Sequence, residues 1–168
     1  TVTDGSSHDP PGRRLSPFIP IGTEIGAYRI EAFVDRGGMA SIYEATDLRL
    51  NRKVALKVLG HEVSDSTDFR ERFVRESHIA ASIDHPNIIP IYEAGNADGT
   101  LFIAMRYVVG SDLKAIIRDG IGLAPDRTLR LMEQIGDALD AAHALGLVHR
   151  DVKPGNVLLT SLRGQTEH

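Results

Sequence analysis

The feature that most limits how this chain can fold is a change of hydrophobic rhythm at Gly110. Upstream of it, from Tyr28, apolar residues alternate in short runs: "YRIEAFV", "SIYEAT", "KVALKVL", "IIPIYEA" and "TLFIAMRYVV". That rhythm suits half-buried strands, because successive side chains of an extended chain leave from opposite faces. Downstream, "SDLKAIIRD" opens on a Ser/Asp capping signal, and "APDRTLRLMEQIGDALDAAHALG" runs from a Pro start to a Gly stop, as helices do. Strands gathered first and helices after them predict an α+β chain, a strand-rich lobe followed by a helical one.

Turn chemistry divides the first part. A glycine pair, Gly37-Gly38, and the polar turn "DLRLNR" separate three sequential antiparallel strands, and "GNADG" joins two more as a hairpin, five strands in all. Between the two groups, "DSTDFRERFVRESHIAASI" reads as a helix. Phe69, Phe73, Glu76, Ile79 and Ile83 fall on one stripe of it, so a carboxylate sits among apolar neighbours. "DHPN" ends the helix, since the residue before a proline avoids helical geometry.

Composition narrows the function classes. Among 168 residues, 42% are hydrophobic and 25% charged, which is ordinary for a globular chain. A net charge of -4 argues against a nucleic-acid module, which normally carries a basic excess. No cysteine is present, so disulfides, thiolate nucleophiles and cysteine metal sites are excluded together. No apolar run approaches the ~18 residues of a membrane span, and a cytoplasmic chain is the expectation. Thr1–Ile21 is rich in Ser, Pro, Gly, Asp and Arg, and residues 1–26 are read as a flexible tail.

Three constellations carry chemistry. In "VALKVL", alternation puts Ala55, Lys57 and Leu59 on one face of a strand and Val54, Leu56 and Val58 on the other. A lone strand lysine usually lays its stem along the sheet and its head in water. Here the next helix offers Glu76, an equally awkward charge, and two buried charges persist when paired. The turn at Gly37 and Gly38 is either an ordinary hairpin or a bend whose N–H groups approach phosphates. The third stretch is "LVHRDVKPGNVLL", where Asp151, Lys153 and Asn156 share one tight loop. A surface turn uses Asp, Pro, Gly and Asn as well. The order of a proton acceptor, a cation and an oxygen ligand for a hard metal is what phosphoryl transfer requires.

From about Tyr28 to Leu159 the sequence resembles the first part of a eukaryotic-type protein kinase domain, in the style of bacterial serine/threonine kinases. The resemblance rests on "RGGMASIY", "VALK", Glu76, "HPNI", "AMRYV" and "HRDVKPGN", in that order. It implies a kinase-like fold: a five-stranded nucleotide-binding lobe over residues 27–106 with one regulatory helix, then a hinge and the start of a helical lobe over 107–168. It implies ATP and Mg²⁺ as cofactors and a protein with a Ser or Thr acceptor as partner. Lys57, oriented by Glu76, would hold the α- and β-phosphates beneath a glycine-rich loop of Gly37, Gly38, Met39 and Ala40. Asp151 would accept the hydroxyl proton, Lys153 would steady the γ-phosphate, and Asn156 would bind Mg²⁺. Val34, Ile42, Ala55, Met105 and Leu158 would enclose the adenine, the backbone of Arg106 and Val108 would bond it, and Asp112 would reach the ribose. Arg150 would pair with an activation-loop phosphate.

The sequence departs from the pattern in two places. Asp35 and Ala40 stand where the family has the first and third glycines of its loop, and no Asp-Phe-Gly follows Asn156. A second reading is therefore a non-catalytic nucleotide-binding or interaction module that keeps a kinase lobe. In the long helix, Leu129, Met132, Ile135, Leu139 and Ala142 form one apolar stripe, with Leu131, Ala138, Ala141, Ala144 and Leu145 spread over the other sides. Such a helix is normally covered on most sides, so the region Leu129–Leu145 is expected to self-associate or to take another chain.

Overall fold

A computed structural model of the chain describes residues 18–38, 40–60, 67–118 and 122–160, without the side chains of Thr67 and Asp68. Strands β1 (Glu24–Ile25), β2 (Tyr28–Arg36), β3 (Ala40–Asp47), β4 (Arg52–Leu59), β5 (Ile91–Ala97) and β6 (Thr100–Arg106) form a six-stranded antiparallel sheet in the order β1-β2-β3-β4-β6-β5. Helix α1 (Thr67–Ala81) lies between β4 and β5 in the chain and packs on β5. Beyond the sheet come β7 (Ser111–Asp112), α2 (Leu113–Arg118), α3 (Pro125–Ala144), a 3-10 turn (Pro154–Asn156) and β8 (Leu158–Leu159). The α+β order read from the change of rhythm at Gly110 is the order observed.

Alternation decides the two faces of the sheet. Tyr43 and Ala45 of β3, Val54, Leu56 and Val58 of β4, and Phe102 and Ala104 of β6 all point to one side and form the core with Tyr28 and Ile30. Each large aliphatic side chain buried there stabilises the fold by about 1.5–3 kcal/mol. The opposite face carries Ile42, Ala55, Lys57, Ile103 and Met105, none of them fully buried. Asp98 and Gly99 take φ of 48° and 86° between β5 and β6, the left-handed pair that a two-residue hairpin demands. At the β3–β4 turn the buried Asp47 accepts from Arg49 N–H at 3.1 Å, Arg49 Nε at 3.4 Å and Arg52 Nε at 3.4 Å. Burial alone would push its carboxyl up, but those bonds outweigh burial and hold it below the usual range. The Tyr28 phenol donates to Glu93 at 2.7 Å and accepts from Arg49 at 2.8 Å, and burial followed by Glu93 pushes it well above the ordinary tyrosine range.

Three expectations are corrected. The main sheet has six strands rather than five, because β1 pairs with β2 through Glu24↔Arg29 and Ile25↔Tyr28. β1 falls inside the segment read as a flexible tail. There Gly22 N–H donates to Ile30 O at 2.8 Å, Ile30 N–H donates to Thr23 O at 2.9 Å, and Ile25 is buried. Averaging with the polar residues before it hid a segment that carries Phe18, Ile19, Ile21 and Ile25 and is ordered by backbone pairing and by the burial of Ile25; residues 1–17 of the same reading lie outside the described residues. In α1 the stripe through Phe69 and Phe73 continues to Ser77, which is 5% exposed, while Glu76 faces solvent. At 3.6 residues per turn a stripe can run to either residue, and the helix turns the serine inward.

Helix α3 begins at Pro125 and ends where Gly146, at φ 76°, donates to His143 O and Leu147 donates to Ala142 O. Its one buried residue, Leu131, joins Leu113 and Leu159 in a small second core. Leu129, Met132 and Leu145 are 63%, 58% and 47% exposed, so the apolar helix read from the sequence is uncovered on one side.

Candidate functional site

The loop after α3 is organised by bonds between near neighbours. Lys153 is extended, as a residue before proline should be, and Pro154 then opens the 3-10 turn, with Asn156 N–H on Lys153 O at 2.9 Å. Within this bend Lys153 Nζ reaches Asp151 Oδ2 at 2.7 Å. Asn156 Nδ2 donates to the same carboxylate at 3.0 Å and to Asp151 O at 2.7 Å. Asp151 N–H donates to His149 Nδ1 at 3.3 Å. Arg150 sits in the left-handed region at φ 59°, which costs a residue with a Cβ about 1–2 kcal/mol and is typical of functional bends. The bond from Lys153, then that from Asn156, holds the Asp151 carboxyl below the ordinary carboxylate range. Asp151 is therefore a charged, solvent-facing acceptor at neutral pH. Asp151, Lys153 and Asn156, predicted together, are found together.

A second link ties this loop to the segment leaving the sheet. β7 pairs with β8 through Ser111↔Leu159 and Asp112↔Leu158, and Leu113 N–H donates to Val157 O at 2.8 Å. Asp112 and Leu158, proposed from different motifs, are thus cross-strand partners. Asp112 Oδ1 also accepts from Ala115 N–H at 2.6 Å and caps α2. Gly110 permits the pairing, because a Cβ there would stand 2.1 Å from Leu159 O. Sequence reasoning used Gly110 only as a boundary; its place just before a strand that must be crossed closely was the available signal.

On the sheet, register aligns the remaining candidates. Ile42 pairs with Lys57, Lys57 with Ile103, and Ala55 with Met105, so Ile42, Ala55, Lys57 and Met105 share the open face. Lys57 and Glu76 are both exposed, and among the described residues no ion pair joins them. The expectation that two buried charges would satisfy each other is corrected: neither is buried, so each is solvated by water. At the glycine turn Gly37 N–H closes on Ala40 O at 2.8 Å, and Asp35 Oδ1 accepts from Arg36 N–H at 2.7 Å. Val34 and Leu158 are exposed; Met39 lies outside the described residues.

Between the lobes, Arg106 N–H donates to Pro90 O at 3.0 Å, so this residue has only its carbonyl to offer a base, while Val108 N–H has no backbone acceptor among the described residues. Lys53 Nζ bonds Glu44 Oε1 at 2.6 Å and lies 5.1 Å from the centre of the Tyr107 ring, a contact that the sequence did not disclose. Asn87 of the "HPNI" stretch donates to Gln134 of α3 at 3.4 Å, a direct tether from the strand lobe to the helical one.

Among the described residues no group of three or more His, Cys, Asp or Glu could hold a metal. Asn156 spends its amide N–H groups on Asp151 and keeps Oδ1 as an oxygen ligand. That donor suits Mg²⁺, which takes few protein ligands and fills its shell with phosphate and water. No helix among the described residues is long and apolar enough to cross a membrane.

The family described as protein kinase domain matches residues 28–166. Serine/threonine-protein kinase PknE of Mycobacterium bovis is 46% identical over 140 residues, 83% of this chain and 25% of that protein. Serine/threonine-protein kinase PknD of Mycobacterium tuberculosis is 41% identical over 148 residues, 88% of this chain and 22% of that protein. The crystal structure of the Mycobacterium tuberculosis PknI kinase domain superposes with a TM-score of 0.75 at 34% identity, covering 86% of this chain and 59% of that one. The chain therefore spans about a quarter of the length of these curated relatives.

Proposed function

The chain belongs to the protein kinase domain family, and from that premise we propose that it carries the nucleotide lobe and catalytic loop of an ATP- and Mg²⁺-dependent kinase acting on serine or threonine of proteins. The observation that supports this reading best is the convergence of Asp151, Lys153 and Asn156 on one bend, joined through Leu158 to Asp112. In the reaction the acceptor hydroxyl oxygen bonds to the γ-phosphorus, the bond from that phosphorus to the β–γ bridging oxygen breaks, and the hydroxyl proton passes to Asp151. Asp151 suits this role because its carboxyl stays ionised. Lys153, one salt-bridge length away, places positive charge beside the transferred group. Asn156 would hold Mg²⁺ through its Oδ1, and the ion would supply neutralisation of charge on the phosphates.

Lys57 reaches the α- and β-phosphates from the open face, and Glu76 orients it once α1 turns toward the nucleotide. Gly37, Gly38, Met39 and Ala40 cover the phosphates. The Arg106 carbonyl and Val108 N–H bond the adenine, with Val34, Ile42, Ala55, Met105 and Leu158 around it and Asp112 at the ribose. The substrate is a protein and the setting is the cytoplasm, which the absence of cysteine suits. Mg-ATP at about 100 times its dissociation constant should stabilise the chain by about 2.7 kcal/mol, and Lys57→Ala should remove most of that gain. Transfer of labelled γ-phosphate to a protein acceptor should vanish with Asp151→Asn. No stabilisation of the parent chain by Mg-ATP would overturn the proposal.

A further inference from the structure

We propose that the segment before β1 is a positioning strap for the nucleotide-covering ribbon, with Phe18 as its anchor. The ribbon is β2 and β3, joined by the Gly37-Gly38 turn. Its ladder is irregular where the nucleotide would lie: Phe33 pairs with Tyr43 and Asp35 with Ile42, so Val34 is an extra residue without a partner across the ladder. A bulge of this kind bends a strand and leaves the extra residue's direction unset by sheet hydrogen bonds. Val34 is one of the residues proposed to enclose the adenine, and something else must fix it.

The strap is placed to do so. The Phe18 ring stands 5.6 Å from that of Phe33 and 6.3 Å from that of Tyr43, and Phe33 and Tyr43 stand 5.8 Å apart, closing a triangle on the residue before the bulge. Ile19 N–H donates to the Tyr43 hydroxyl at 3.2 Å. Behind these contacts the chain is fastened through Gly22 N–H on Ile30 O and the β1–β2 pair. Phe18 therefore touches both strands of the ribbon from the side of the sheet core, while remaining 60% exposed itself. So exposed a ring contributes little to the core, and its effect is local: it holds Phe33 against Tyr43 and thereby limits the swing of Val34 and of the glycine turn beyond it. The strap's effect on nucleotide affinity rests on the function proposed above; its effect on the ribbon does not.

The test uses the whole chain and three variants, Phe18→Ala, Phe18→Leu and Ile21→Ala, the last on the same strap but without a ring contact. Amide hydrogen exchange over residues 33–42, measured without nucleotide, should speed up about three- to tenfold in Phe18→Ala, the range expected for losing aromatic contacts. Phe18→Leu should restore part of the protection and Ile21→Ala should match the parent. Affinity for Mg-ATP should fall by a similar factor in Phe18→Ala, while the thermal midpoint moves little. Unchanged exchange over 33–42 in Phe18→Ala overturns the strap, whatever the nucleotide does. Faster exchange with unchanged Mg-ATP affinity overturns its positioning role. A parent chain that binds no Mg-ATP overturns the functional reading, and with it the affinity arm, before any variant is made.

Discussion

Gly110→Ala tests the link between the segment leaving the sheet and the loop that carries Asp151, Lys153 and Asn156. The new Cβ would stand 2.1 Å from Leu159 O and 3.1 Å from Leu159 C. An ordinary carbon–oxygen contact is more than an ångström longer, and both atoms in the way are backbone, so no side chain can rotate aside. Either the variant moves β8 as a unit or it breaks the Ser111↔Leu159 and Asp112↔Leu158 pairing. Overpacking of this kind costs roughly 1–3 kcal/mol, and each backbone bond lost adds about 0.5–1.5 kcal/mol. Moving β8 also pulls Leu159 from its contacts with Leu113 and Leu131. A destabilisation of about 2–4 kcal/mol is expected, concentrated in the helical lobe. Urea unfolding followed by far-UV circular dichroism gives the size. Exchange of the Leu113 amide, which donates to Val157 O, locates it. A change within ~0.5 kcal/mol, the scatter of an ordinary surface substitution, with Leu113 still protected, would refute the reasoning from close approach.

Gly146→Ala is the contrasting glycine: its φ is 76° and no atom lies within 4 Å of the added Cβ, so only backbone strain remains and a loss of about 1–2 kcal/mol is expected in the same assay. Asp47→Asn should cost about 1–3 kcal/mol at neutral pH by leaving Arg49 and Arg52 facing a neutral amide. Asp47 and Glu93 are both held below the usual carboxylate range, so the unfolded chain binds more protons in acid. Their contribution is complete above about pH 5 and fades as pH falls through about 4 and below; an acid titration of stability should show a shallower slope in Asp47→Asn. The exposed stripe of α3 should make the chain self-associate, and Leu129→Glu with Met132→Glu should lower the weight-average mass in sedimentation.

What was legible in the sequence divides by the range of the forces involved. The β5–β6 hairpin, the two faces of β4 and the Asp151–Asn156 bend all follow from signals within a dozen residues, and each is found where the sequence put it. The misses depend on partners far along the chain. Residues 18–26 follow a long polar run and are averaged into it; although they include Phe18, Ile19, Ile21 and Ile25, their order depends on backbone donors and acceptors on β2 and on the Tyr43 hydroxyl, which composition does not disclose. Glu76 and Ser77 are equally good continuations of the Phe69–Phe73 stripe, and only the packing of α1 on β5 chooses between them. Gly110 showed no positive φ and no motif of its own; its reason is a carbonyl almost fifty positions later.

The same division explains why the site is assembled on one side and open on the other. Asp151, Lys153 and Asn156 lie within six positions of one another, and a proline-set bend closes the loop with few long-range contacts, so it forms without nucleotide. Lys57 and Glu76 belong to different elements, and α1 packs on β5 rather than on the strand that carries the lysine. With both groups in water, an exposed pair would return only ~0–1 kcal/mol, too little to draw a helix across the sheet. On this argument the separation of Lys57 and Glu76 follows from the chain's own energetics, each charge being as well solvated alone as paired across the sheet.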